Sequence, residues 1–151
     1  MDGRPEKVMN IRKAVLEDAE KITEIAQVLY LDIPGFDWHQ EDFIKKQVER
    51  GEYYIGEENG KAVGVISLRE RNGMLYIETL AKAQDVQLSG VGKRLVEFAK
   101  NFARENNFKI LRTTSFYEYG VKDFYIKNGF RLLPESGEYG GHKFYRLEYE
   151  I

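Results

Sequence analysis

The stretch Gln87-Leu88-Ser89-Gly90-Val91-Gly92-Lys93-Arg94 constrains the chain most, because it joins a strand-like run at 74–81 to a strongly helical run at 91–107. A helix that starts on glycines presents backbone N–H groups without intrahelical partners, and the helix dipole adds partial positive charge at that end. Gly90 and Gly92 lack a Cβ and let the backbone approach a ligand, while Lys93 and Arg94 add full charges. The stretch therefore reads as an anion cradle for a nucleotide or pyrophosphate. A strand, a glycine loop, a helix and a further strand at 108–114 make a βαβ unit with two parallel strands.

Two familiar phosphate loops are excluded. A P-loop needs Gly-x-x-x-x-Gly-Lys-Ser/Thr, and here Arg94 follows Lys93 with no matching upstream glycine. A dinucleotide fingerprint needs a third small residue where Leu95 stands, and it belongs near a first parallel strand.

The flanking chain supplies the rest of one domain over 8–151, after a polar, flexible lead at 1–7. A short strand at 8–15 precedes a helix from Glu17 to about Tyr30, with Ile22, Ile25, Ala26 and Leu29 on one face. A second helix spans 41–50 with Phe43, Ile44 and Val48 inward, closed by Gly51. Three strands follow at 52–58, 61–71 and 74–81, separated by Asn59-Gly60 and Asn72-Gly73, which are type I′ hairpin signals. In the long helix, Val91, Leu95, Phe98 and Phe102 share a face, and Lys93, Glu97, Lys100 and Arg104 lie largely elsewhere. A short helix at 120–128 ends at Gly129, a strand covers 130–133, and a last strand alternates from Tyr145. The expected fold is α/β: a mixed, mostly antiparallel sheet of six to seven strands, flanked by about four helices and splayed near the glycine loop.

With 42% hydrophobic and 32% charged residues over 151 positions, the chain has enough apolar material for one core. A net charge of −2 with interspersed signs speaks against a nucleic-acid footprint or a polybasic membrane anchor, and no apolar run has the length of a membrane span. Zero cysteines exclude a disulfide framework and a cysteine nucleophile, and two histidines, His39 and His142, make a metal centre unexpected. The lead has no apolar segment of a secretory signal, so a cytoplasmic location is the expectation.

A second constellation, Val121-Lys122-Asp123-Phe124-Tyr125-Ile126-Lys127-Asn128-Gly129-Phe130, puts Val121, Phe124 and Tyr125 on one helical face before a glycine that permits a left-handed turn. Together, Gln-x-x-Gly-x-Gly after a strand and the aromatic-Tyr-x-x-x-Gly-Phe segment resemble the hallmarks of the GCN5-related N-acetyltransferases. The resemblance spans nearly the whole chain, including the opening strand around Asn10-Ile11-Arg12.

The resemblance implies an acetyl-CoA-dependent N-acetyltransferase with no metal, moving acetyl directly to an amine acceptor on a small molecule or protein. Backbone groups of Leu80, Ala81 and Lys82 would pair with the pantetheine arm as an added strand. Amides of Leu88, Ser89, Gly90, Val91, Gly92 and Lys93, after Gln87, would hold the pyrophosphate. Glu118 stands on the cofactor side, where the family often has Asn. Tyr125 would be the general acid for the departing thiolate; a core tyrosine is the plainer alternative. Glu78, which shares a strand face with Met74, Tyr76 and Leu80, is the candidate base; a solvated strand carboxylate is its alternative. The segment between the first two strands would wall the acceptor site, and the loops 30–39 and 134–141 carry aromatics and acids. Among them Asp32 and Asp37, with the nearby Glu41 and Asp42, would face a cationic amine or be solvated. The last strand is a candidate homodimer edge. A non-catalytic acyl-CoA-binding module on the same fold is the rival reading.

Overall fold

The two Asn-Gly turns set the register of the sheet. Asn59 and Asn72 (φ 52° each) and Gly60 and Gly73 (φ 75° and 78°) take the left-handed conformations that match the twist of paired strands. The computed structural model describes residues 9–84 and 90–151; the lead at 1–7 and the loop residues Gln87, Leu88 and Ser89 lie outside them.

Strand β1 (Asn10–Lys13) leads to α1 (Ala19–Ala26) and α2 (Glu41–Glu49), then to β2 (Tyr53–Glu58), β3 (Lys61–Arg71) and β4 (Met74–Lys82). Helix α3 (Val91–Glu105), β5 (Ile110–Phe116), α4 (Lys122–Lys127), β6 (Arg131–Leu132), β7 (Gly137–Tyr139) and β8 (His142–Glu150) complete the chain. The eight strands form one sheet in the order β1-β2-β3-β4-β5-β8-β6, with β7 also on β8. Every pairing is antiparallel except β4 with β5, the two strands joined through α3.

That parallel pairing is short. Leu75, Tyr76 and Ile77 face Leu111, Arg112 and Thr113, and there the register ends, although β4 runs on to Lys82 and β5 to Phe116. The sheet splays as expected, leaving the β5 side of β4 without a strand partner beyond Ile77. A second irregularity lies on the other side: Ser67 faces Thr79 and Leu68 faces Ile77, so Glu78 is the extra residue of a β-bulge. A bulge bends its strand and re-aims a side chain.

The core closes around α3. Leu95, Val96, Ala99 and Ala103 have no exposed surface, nor do Leu111 and Leu147 beneath them. Each buried leucine contributes about 1.5–3 kcal/mol by leaving water. Phe98 and Phe102, expected on the same inner face, are half-buried and pack against the core through Tyr54. The small side of the contact is Gly64 on β3, where a Cβ would meet Leu95 and Val91 at 2.9 Å each and the Ala81 carbonyl at 3.2 Å. Because one neighbour is backbone, the helix must lift to make room. We predict that Gly64→Val lowers stability by about 2 kcal/mol, or about 4–8 °C in a thermal melt, by overpacking. An unchanged melting temperature would show that the helix has room to move.

Three sequence expectations need correction. Lys100 lies inside: only 6% of it is exposed, with Nζ donating to the Asn128 carbonyl at 2.6 Å and resting over the Tyr149 ring at 4.3 Å. Its long stem reaches the core while its charge finds a carbonyl and a ring face, which helical periodicity does not reveal. The last strand starts at His142 rather than Tyr145, because Gly140-Gly141 turns β7 back onto it. It is not a sheet edge, since β5 takes one side while β7 and β6 take the other at 142–144 and 147–148. The missing Cβ of Gly92 also serves packing, since a Cβ there would stand 3.1 Å from the Phe124 ring of α4.

Candidate active site

The splay opens a cleft of ≈ 840 Å³ whose floor is β4 from Tyr76 to Lys82 and whose far side is β5 from Thr113 to Phe116. The two motif residues of the sequence meet in it: Glu78 from β4 and Tyr125 from α4 both line the cavity. So do Leu80, Ala81 and Lys82.

Gly90, at φ 92°, caps α3 and accepts the Arg94 amide at 3.0 Å. The amides of Val91, Gly92 and Lys93 are therefore first-turn donors without an intrahelical partner. The Val91 side chain is buried in the core, so only its backbone is available. Lys93 and Arg94 are exposed and border a separate shallow hollow with Ile11, Glu97 and Asn101, rather than the main cleft. Arg94 also approaches Glu58 at 3.7 Å.

Tyr125 is 5% exposed, with its ring edge-on to Phe124 and Phe130 and its hydroxyl beside that of Thr113. Burial pushes the phenol up to about 12, partly offset by the Thr113 hydroxyl. Thr113 in turn donates to the Ile77 carbonyl at 3.1 Å, bridging β5 to β4 at the point of splay.

Glu78 is held by three hydrogen-bond donors and a nearby second guanidinium. Trp38 Nε1 lies 3.3 Å and an Arg71 Nη 3.0 Å from one carboxylate oxygen, with Arg69 at 3.8 Å; Gln47 Nε2 lies 3.5 Å from the other. Only 9% of the side chain is exposed. The loop over the site brings a wall of rings. Phe36 is edge-on to Trp38 at 5.0 Å, Trp38 to Tyr139 at 5.8 Å, and Phe116 to Phe144 at 5.8 Å. Tyr119 Oη donates to the Leu29 carbonyl at 2.5 Å, tying this wall to the turn after β5.

Sequence reasoning missed Trp38, Arg71, Gln47 and Thr113 as participants. Arg71 was findable: the Asn72-Gly73 turn places it opposite Met74, and the alternation then puts Arg69 and Arg71 on the face of Tyr76. Trp38 and Gln47 come from a loop and a helix, and no local pattern reports where those fold. Glu118 does not line the cleft; it is exposed and paired with His142 Nδ1, which holds its carboxyl below the usual range. Asp32, Asp37, Glu41 and Asp42 are all exposed and none lines the cavity. Among the described residues, no cluster of three metal-binding side chains occurs and no helix is long and apolar enough to cross a membrane.

Comparison with solved structures finds the same architecture. Ard1 from Thermoplasma volcanium superposes with a TM-score of 0.80 at 19% identity, over 95% of this chain and 97% of the other. The PaiA N-acetyltransferase from Thermoplasma acidophilum, solved in complex with coenzyme A, gives 0.76 at 17% identity over 95% and 99%. A family acetyltransferase from Elizabethkingia anophelis with acetyl-CoA bound gives 0.72 at 18% identity over 95% and 98%. Likeness at these identities concerns the fold. Residues 16–130 match the model of the acetyltransferase (GNAT) family, most of the chain's length and both hallmark segments included, and the chain therefore belongs to that family.

Proposed function

We propose that the protein is an acetyl-CoA-dependent N-acetyltransferase in which Tyr125 is the general acid and Glu78 the base. One observation carries the reading: a buried hydroxyl that keeps its proton and a carboxylate line one cleft, beside the stretch of β4 that runs past the end of its register with β5. The residues present fit the cosubstrate. On the β5-facing side of β4, Leu80 and Ala81 lie past the end of the register with β5, which suits an amide-bearing arm, and the first-turn amides of α3 after Gly90 suit a pyrophosphate. Among the described residues, a Cβ at Gly90 would meet nothing within 4 Å.

When bound, acetyl-CoA supplies an acetyl thioester whose C–S bond breaks as a C–N bond to the acceptor forms. Glu78 takes the proton that the amine must shed, directly or through one water. Tyr125 holds its proton at Oη for the departing sulfur. An ordinary thiol loses its proton near 8.5, so a phenol at about 12 is the weaker acid in water. Inside the cleft, the burial that raises Tyr125 raises the basicity of a thiolate leaving beside it, and the hydroxyl acts first as a hydrogen-bond donor to growing charge.

This gives the pH dependence its sign. Tyr125 works protonated, so activity is lost only as pH rises through its folded value of about 12. Turnover measured by CoA release with a panel of amines should show no alkaline decline between about pH 8 and 10, where an ordinary tyrosine at about 10 would begin to fail. A fall centred near pH 10 in a folded protein would remove Tyr125 as the acid. Acetyl-CoA binding without release on any amine would favour the non-catalytic module.

A further inference from the structure

The acceptor end of the cleft carries a charge arrangement that the acetyl-transfer chemistry does not require. Glu78 already receives Trp38 and Gln47, yet Arg71 also sits 3.0 Å from its carboxylate and Arg69 3.8 Å away. Two guanidinium groups thus face one carboxylate. Arg71 lines the cleft, is half exposed, and lies over the Tyr76 ring at 5.7 Å. A guanidinium has five N–H donors in a planar fork, and Glu78 takes one of those of Arg71. Trp38 and Tyr139 line the same cleft as Arg71.

Resting on the transferase reading above, we infer that the acceptor is a free α-amino acid with an aromatic or large apolar side chain, its carboxylate on Arg71 and its amine beside Glu78. The match is geometric. An α-amino acid carries its amine and carboxylate two bonds from one another on a single carbon, and Arg71 and Glu78 present the complementary pair in direct contact. The fork of an arginine suits a carboxylate bidentately. The third substituent on that carbon has a ring-lined place: Phe36, Trp38 and Tyr139 form a contiguous edge-to-face series on the same wall. A polycation is disfavoured by the same inventory. The charged residues lining the cleft are Arg71, Glu78 and Lys82, a net positive set, while the loop acids point outward. A peptide N-terminus has its first carboxylate replaced by an amide and gives Arg71 no anion.

The test compares L-phenylalanine and L-tryptophan with 2-phenylethylamine, tryptamine, phenylalaninamide and spermidine, with N-acetyl product read by mass and CoA release measured on the same samples. The amino acids should exceed their carboxylate-free counterparts by about tenfold or more in kcat/KM, the yield of one charge-assisted bidentate pair. In Arg71→Gln that ratio should fall toward one, mainly through KM, and Arg71→Lys should recover part of it. Calorimetric acetyl-CoA binding by both variants reports that they are folded. Equal or better acetylation of the amines, the amide or spermidine overturns this inference and leaves the transferase standing. No product from any acceptor, with acetyl-CoA bound, overturns both.

Discussion

Tyr125→Phe should lower turnover by about a hundredfold while leaving acetyl-CoA affinity within about threefold, since a positioned proton donor contributes on the order of 10²–10⁴. The substitution removes one oxygen and keeps the ring. That ring packs edge-on to Phe124 and Phe130, so the core loses no apolar contact. Thr113 retains its bond to the Ile77 carbonyl, and the β4 to β5 junction stays closed. The loss should therefore appear in kcat, with a melting temperature shifted by only a few degrees. The pattern separates a chemical role from a packing one: a tyrosine present only to fill the core would leave kcat where it was. Unchanged turnover would remove Tyr125 from the mechanism.

The framework of this fold is legible because local signals and long-range packing agree. The two Asn-Gly dipeptides fix the meander from β2 to β4, and the strand, glycine loop and helix run predicts the one parallel pairing. Tyr125 and Glu78 are visible as candidates because one sits in a hallmark segment and the other on a strand whose alternation can be counted. What surrounds them is not visible. The bulge that re-aims Glu78 depends on a one-residue mismatch between Leu68 and Ser67 on β3 and their partners on β4, which neither strand encodes alone. Trp38 reaches Glu78 from 40 positions away, through a loop without periodicity. The same holds for β7: three residues ahead of Gly140-Gly141 read as a loop, and only β8 makes them a strand. Gly92 shows the same limit: the ring that packs where its Cβ would stand belongs to Phe124, 32 positions on.

Gly90 lies at the centre of the account, because an anion at the start of α3 and a strand-like arm along β4 both require the turn to open there. Its φ of 92° is a conformation that side chains rarely take, and substitution costs about 1–2 kcal/mol of local backbone energy. A Cβ would strike no atom within 4 Å, so the fold itself should survive. In Gly90→Glu, a carboxylate at the helix N-terminus would satisfy the free amides and repel a pyrophosphate. Gly90→Ala, with the strain but not the charge, should weaken binding much less.

The most direct test is calorimetric titration of acetyl-CoA into the wild type, Gly90→Ala and Gly90→Glu. Wild-type binding is expected on the order of 10 µM, as enzymes commonly hold their substrates, with a loss of about a hundredfold or more in Gly90→Glu. Absence of wild-type binding, or undiminished binding in a folded Gly90→Glu, would contradict this expectation.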